Sequence, residues 1–294
     1  MSLDKWMQKN TASLSGKMVA ITGSTGSLGR ALCRYLATLG ASLILLDRNA
    51  VRSAALREEL LRDFPTLSVR CLQTDLTEME SVRATSARLN TLPVDVFIHN
   101  AGAYAIPRHI CDTRLDNVFQ INFASPYYLI RELLPTLRAR RGHVVIVGSI
   151  AHNYAKSDPA DVDFSTRKRA SLVYGNAKRY LMFALLSLFA REREVTLAVT
   201  HPGISFTGIT NHYPKLIYAL IKHPMKVLFM KPKKACLSTL RGVFDPCHGT
   251  EWIGPRVLDI WGLPKKKALR TASEAEIAQI AARAEQIYLA LKKE

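Results

Sequence analysis

The chain has 294 residues, 48% of them hydrophobic, enough to bury the core of one sizeable α/β domain rather than two. Its net charge is +17 with a pI near 9.9, yet no run approaches the ~18 uninterrupted apolar residues of a spanning helix. The opening MSLDKWMQKN lacks the apolar core and cleavage pattern of a secretory signal, and the expected compartment is the cytoplasm. Cys33, Cys71, Cys111, Cys236 and Cys247 form no CxxC pair; they read as free thiols in a reducing compartment, with no metal site. No helix-turn-helix, zinc-finger or RNA-binding signature accompanies the charge, so nucleic acid is not the expected partner.

In chain order, the run 17–22 (KMVAIT) reads as a strand and leads directly into Gly23-Ser24-Thr25-Gly26-Ser27-Leu28-Gly29. A helix follows, with Leu28, Ala31, Leu32, Tyr35 and Leu36 on one side and Gly40 closing it. Strand, glycine-rich turn and helix start together offer free backbone N–H groups to a pyrophosphate. The second strand, 42–47 (SLILLD), ends in Asp47, 18 residues past Gly29, near the spacing at which a carboxylate meets adenosine ribose hydroxyls.

Further strands are expected at 67–73, 95–99, 143–149, 195–200 and 257–260, and helices at 50–63, 79–89, 113–139, 172–191 and 233–244. The alternation predicts a Rossmann-type doubly wound α/β fold, a parallel sheet of about seven strands with helices on both faces, in a single domain spanning 1–294. A final helix from about 274 to 292, within an extension over 271–294, has Ser273 and Glu276 spaced as a capping box. Ile277, Ile280, Ala281, Ala284, Ile287 and Leu291 form its apolar stripe.

The chemistry concentrates in Tyr174-Gly175-Asn176-Ala177-Lys178. Four apart on a helix, Tyr174 and Lys178 share a face. An ammonium about 4 Å from the phenol contributes on the order of 4 kcal/mol at an effective dielectric of 20. That is enough to lower a phenol pKa of about 10 into the range of a usable acid or base.

The order of these pieces resembles the short-chain dehydrogenase/reductase family over about 17–262. The matching motifs are the glycine turn, Asp75 in QTDL, His99–Gly102 (HNAG), Asn122 in FQIN, Ser149 in VGSI, YGNAK and His201-Pro202-Gly203. In the TGxxxGxG frame of ordinary single-domain members the middle glycine is Ser27. In the TGxxGxxG frame of the longer, epimerase-like branch, Gly23, Gly26 and Gly29 are all present. HNAG and the HPG turn belong to the ordinary branch.

The resemblance implies hydride transfer between a secondary alcohol and a nicotinamide. Tyr174 would exchange the proton with substrate oxygen, Lys178 would lower the phenol's pKa and bind the nicotinamide ribose, and Ser149 would hydrogen-bond the reacting oxygen. Asn122 would hold a water linking Lys178 to solvent. Asp75 and Leu76 would flank the adenine, Asn100, Ala101 and Gly102 would line the adenosine side, Pro202, Gly203 and Ile204 would also contact the cofactor, and Thr207 would meet the nicotinamide carboxamide or a phosphate. Asp47 argues for NAD(H) because a carboxylate repels a 2′-phosphate; Arg48 beside it keeps NADP(H) open.

The polar segment between Ser149 and Tyr174 is similar to the substrate loop of members acting on retinoids and steroids. The stretch 204–235, rich in Leu, Ile and Lys, corresponds to the family's substrate lid. Between 209 and 270 there are 12 Lys or Arg against three acids, so the lid's basic fringe could touch anionic lipid headgroups. A lipophilic alcohol or ketone is the expected substrate, and a homodimer or homotetramer the expected assembly. Two other functions stay open: an epimerase or dehydratase of the longer branch, and a non-catalytic NAD(H)-binding interaction protein.

Overall fold

Four apolar residues in a row, Leu43 to Leu46, are all buried, as a strand covered on both faces requires. The same pattern builds most of the sheet in the computed structural model, which describes residues 2–203 and 230–293. The strands are β1 (Met18–Thr22), β2 (Ser42–Asp47), β3 (Val69–Gln73), β4 (Val96–His99), β5 (His143–Val147), β6 (Thr196–Thr200), β7 (Glu251–Val257) and β8 (Trp261–Ala268). They lie in the order β3-β2-β1-β4-β5-β6-β7-β8. All neighbours run parallel except β7 and β8, an antiparallel hairpin. Chain order reverses between β1 and β4, and such a switch point opens a crevice at the carboxyl ends of the strands.

One face of the sheet is covered by α2 (Ser27–Thr38), α3 (Ala50–Asp63), α8 (Pro232–Ala235) and α9 (Leu237–Phe244), whose buried residues join one apolar cluster. The other face carries α4 (Met79–Leu89), α6 (Ser125–Ala139), α7 (Ala170–Phe189) and α10 (Glu274–Lys293). The one-turn α5 (Asn117–Phe119) runs through a π-helical turn, Gln120–Ala124, into α6.

Two expectations need correction. Of the stretch 257–260 only Val257 is in a strand, as the last residue of β7; 258–260 form the turn to β8, with Leu258 and Asp259 both at positive φ. The seventh strand precedes it, and β8 is an eighth. Pro264 and Lys265–Lys267 make β8 too polar to read as a core strand, a composition suited to an open sheet edge. At the other end, α1 (Leu3–Asn10) forms from a segment with no expected structure. Ser2 caps it, and the indole of Trp6 is 2% exposed beneath it.

Ile280, Ala284, Tyr288 and Leu291 of α10 are buried against α6 and α7. Arg131 of α6 pairs with Glu285, and Arg83 Nη2 donates to the carbonyl of Leu291 at 2.8 Å. The resemblance implies subunit pairing through the helices near Asn122 and Tyr174, and here that face is occupied by the chain's own C-terminal helix. The expected lid lies outside the described residues from 204 to 229, as do Ile204, Thr207 and the lipid contact assigned to that part of the lid. Its last residues enter α8. Among the described residues, no helix is long and apolar enough to cross a membrane.

Candidate active site

The turn after β1 is shaped by contacts that only glycine permits. At Gly23 φ is +67°, and a Cβ would sit 2.8 Å from Ala101 Cα. At Gly29 a Cβ would lie 2.3 Å from the carbonyl oxygen of Gly23, so the first turn of α2 packs directly on the loop. Gly26 is the N-cap of α2 and supplies no side-chain cap. The first N–H groups of this helix therefore face the crevice, where the helix dipole favours an anion. Asn100 adds a second sign of fit. Its Nδ2 holds the turn by donating to the carbonyls of Thr22 and Gly23 at 3.1 and 2.9 Å, while its Oδ1 is buried without a partner. The donor set and the glycine cradle fit a dinucleotide.

The crevice is a single cleft of ≈ 800 Å³. Its wall includes Gly23, Thr25, Gly26, Ser27, Leu28, Gly29, Asp47, Arg48, Asp75, Leu76, Asn100, Ala101 and Gly102 at one end, and Ser149, Tyr174, Lys178, Pro202 and Gly203 at the other. Ser24 and Asn122 stand behind that wall, both fully buried.

Asp47 does something the sequence does not announce. Its Oδ1 accepts from the backbone N–H and hydroxyl of Thr25, each at 3.0 Å, and its Oδ2 from the hydroxyls of Ser24 and of Ser53, the latter at 3.2 Å. A carboxylate offers about four acceptor positions, and the fold has taken all of them. Asp47 thus tethers the glycine turn to α3, and ribose hydroxyls find no vacant acceptor on it. Arg48 beside it is 75% exposed and only 4.0 Å from a carboxylate oxygen of Asp75. Arg52, also exposed, lines the same end of the cleft.

At the far end, Ser149 lies two residues past β5, which stops at Val147 rather than at the expected 149, and caps the short 3₁₀ turn Ile150–Asn153, accepting from the N–H of Ala151 at 3.2 Å. Tyr174 and Lys178 lie one turn apart on α7, the ammonium nitrogen 5.8 Å from the phenol ring centre. Lys178 is 2% exposed and donates to the carbonyl of Val147 at 2.9 Å. Burial alone pushes its pKa down to about 7. The phenol of Tyr174 moves the opposite way from the expectation, up to about 12. Burial raises it, its hydrogen bond with Ser149 lowers it, and Tyr104 and Tyr154 add a further rise. The expectation treats Lys178 as a fixed charge, and the same desolvation that raises the phenol removes that assumption.

Asn122 lies in the π-helical turn, where its Nδ2 donates to the carbonyls of Val118 and Ala103, each at 2.8 Å. Its Oδ1 accepts from Ala103 N–H at 3.3 Å. A Cβ on Gly102 would lie 3.0 Å from that Oδ1 and 3.5 Å from Lys178 Nζ, so only a glycine leaves the space between them open. In the HPG turn, Gly203 adopts φ +72°, and its N–H donates to His201 Nδ1 at 3.2 Å. That leaves Nε2 to carry the proton toward Asp259 at 3.1 Å, with the ring stacked on Trp252.

Sequence reasoning misses the apolar side of the cleft: Tyr104, Ile106, Ile121, Ile150 and Tyr154. Tyr104 meets Tyr174 edge-on with centroids 5.4 Å apart. These residues come from loops and a helix distant in sequence, and periodicity carries no sign of their convergence.

A profile described as short chain dehydrogenase matches residues 17–170. Among curated relatives, the chain is 28% identical over 253 residues to the Arabidopsis thaliana dehydrogenase/reductase SDR family member FEY, covering 79% of this chain and 65% of that one. It is 28% identical over 254 residues to mouse polyprenol dehydrogenase, covering 83% and 75%. The chain thus spans about two thirds of FEY's length, and the same 65% of two chloroplastic short-chain dehydrogenases from Brassica napus. Among solved structures, an uncharacterized protein from Mycobacterium paratuberculosis superposes with TM-score 0.76 at 23% identity, covering 96% of both chains. A short-chain dehydrogenase from Sphingobium yanoikuyae in complex with NADPH superposes with TM-score 0.59 at 21% identity, covering 77% and 83%.

Proposed function

The chain belongs to the short-chain dehydrogenase/reductase family, and from that premise we propose that it is an NAD(P)-dependent oxidoreductase interconverting a secondary alcohol and a ketone on a lipophilic substrate. The observation that carries this reading is the meeting of Ser149, Tyr174 and Lys178 on one wall of the cleft whose other end is the glycine cradle. Bound there, the dinucleotide supplies or accepts the hydride. With its pKa near 12 the phenol holds its proton at neutral pH, so Tyr174 is poised as the general acid of ketone reduction. Ser149 orients the carbonyl oxygen and stabilises charge developing on it. Lys178 titrates near neutrality, and its ammonium form is the one that favours proton release from Tyr174 in the oxidative direction.

The apolar wall of Tyr104, Ile106, Ile121, Ile150 and Tyr154 favours a lipophilic skeleton, and the name of the mouse relative makes a long-chain isoprenoid alcohol worth testing beside the secondary alcohols, as a primary alcohol that the same hydride transfer would take to an aldehyde. At the adenosine end, a saturated Asp47 and exposed Arg48 and Arg52 support acceptance of a 2′-phosphate, so NADP(H) binds at least as well as NAD(H).

The test is reduced-cofactor formation by purified protein, with NAD and with NADP, on hydroxysteroids, retinol, a polyprenol and simple secondary alcohols. Turnover that disappears in Tyr174→Phe with cofactor binding retained is the expected result. Tightly retained NAD with no exchange with free cofactor would point instead to an epimerase. Cofactor binding without turnover on any substrate would point to a binding protein.

A further inference from the structure

Arg179 follows Lys178 on α7 and is 2% exposed, so its guanidinium must find all its partners inside the fold. Nε and Nη2 donate to the carboxylate of Glu276 at 2.7 and 2.6 Å. Nη1 donates to the carbonyl of His152 at 3.0 Å, and Nη2 also to that of Thr271 at 2.7 Å. Glu276, in the first turn of α10, accepts in addition from the N–H and hydroxyl of Ser157 at 3.0 and 3.1 Å. His152 is gripped from two sides, its Nδ1 2.6 Å from the carbonyl oxygen of Ser149 and its Nε2 2.8 Å from Thr271 Oγ1.

These bonds join three places far apart in the chain: the helix bearing Tyr174 and Lys178, the start of the C-terminal helix, and the segment 149–157. That segment begins at Ser149 and carries Tyr154 into the cleft wall. It holds no regular structure beyond one 3₁₀ turn, so its conformation is set by what grips it. The bidentate Arg179–Glu276 pair supplies a rigid grip, because a planar guanidinium meeting a carboxylate through two bonds fixes direction as well as distance.

We propose that Glu276 is a positioning residue of the oxidoreductase site: through Arg179 and Ser157 it fixes the segment that presents Ser149 and Tyr154, so that seating of the C-terminal helix completes the substrate side of the cleft. This rests on the functional reading above. None of the bonds reaches the glycine turn, Asp47 or Arg48, so the effect divides the cleft in two, with cofactor binding independent of the grip and placement of the reacting oxygen dependent on it.

Three readouts are compared between the parent protein and two variants. Glu276→Gln keeps the shape and the Ser157 contacts but removes the charge. The double variant Arg179→Met, Glu276→Leu removes both charges and leaves no buried ion uncompensated, so it provides a folded protein where the single change does not. The readouts are NADPH affinity by fluorescence titration, tryptic cleavage after Lys156, exposed within the gripped segment, and kcat and KM on the alcohol that the parent oxidises. The proposal expects NADPH affinity within about twofold and cleavage accelerated on the order of tenfold by local opening. It also expects kcat lowered on the order of 10²-fold at little change in KM, as a displaced transition-state contact demands. Unchanged cleavage, or NADPH affinity falling in step with kcat, would overturn it. A parent protein inactive on every substrate would sink the functional reading, while cleavage and NADPH affinity would still decide whether Glu276 grips the segment.

Discussion

Tyr174 and Lys178 show how burial can reverse an argument made from charge alone. Their spacing on a helix face is legible from the sequence, as is the presence of Ser149 at the end of a strand. Their protonation states are not, because desolvation depends on what the fold puts over them. Lys178 ordinarily titrates near 10.5 and here near 7. The unfolded chain therefore binds more protons between those values, and the free protein gains stability as pH rises from about 7 toward 10. Replacing Lys178 by Met removes a buried ammonium, and is expected to stabilise the free protein at pH 7 by on the order of 1–2 kcal/mol while abolishing turnover. Denaturant titration beside an activity assay checks both. Asp47 is a second case: its place after β2 is legible, but the four bonds that saturate it arise from Ser24, Thr25 and Ser53 closing around it. Arg48→Ala is accordingly expected to weaken NADPH binding by about tenfold, the weight of one charge-assisted contact, and to leave NADH binding nearly unchanged. Fluorescence titration with both nucleotides measures that split.

At the level of elements, the strand at 42–47 and the helices at 50–63 and 79–89 are legible to the residue, and the other parallel strands from 17 to 200 to within two residues at each end, because their apolar patterns mark their buried lengths. The β7–β8 hairpin is not, since a lysine-rich edge strand has the composition of a loop and gains its place from pairing with β7. The C-terminal helix is legible as an amphipathic element, and its capping spacing is present, with Glu276 N–H donating to Ser273 Oγ at 3.2 Å. The carboxylate of Glu276, however, turns inward to Arg179 rather than back to the cap. Burial raises its pKa, but Arg179 and Ser157 more than offset this and hold it at about 2, below its ordinary 4.5. A depressed carboxylate stabilises the fold above its unfolded pKa and loses that contribution as pH falls through the folded value. Stability is thus expected to fall between about pH 4.5 and 2, and this part of the fall is expected to vanish in the Arg179→Met, Glu276→Leu variant. Breaking the pair by Glu276→Gln alone should cost about 3–5 kcal/mol, because it leaves the guanidinium buried and uncompensated. Acid titrations of both variants by circular dichroism separate these outcomes.

For the whole molecule, a doubly wound sheet with its switch point between β1 and β4 carries the cofactor turn, the Ser149 strand end and the Tyr174 helix to one crevice. The same architecture, extended by α10, covers the helices that the resemblance assigns to subunit pairing. A monomer near 33 kDa is therefore expected in solution by light scattering, matching the chain's 32.8 kDa. A dimer would require a different face. The central claim, that this cleft performs hydride transfer with Tyr174 moving the proton, is tested most directly by NADPH formation on the panel of lipophilic alcohols, in parent protein and Tyr174→Phe. Turnover in the parent that falls by at least about 10³-fold in the variant, with NADPH affinity preserved, is the predicted result. Turnover that survives the loss of the phenol would contradict the account.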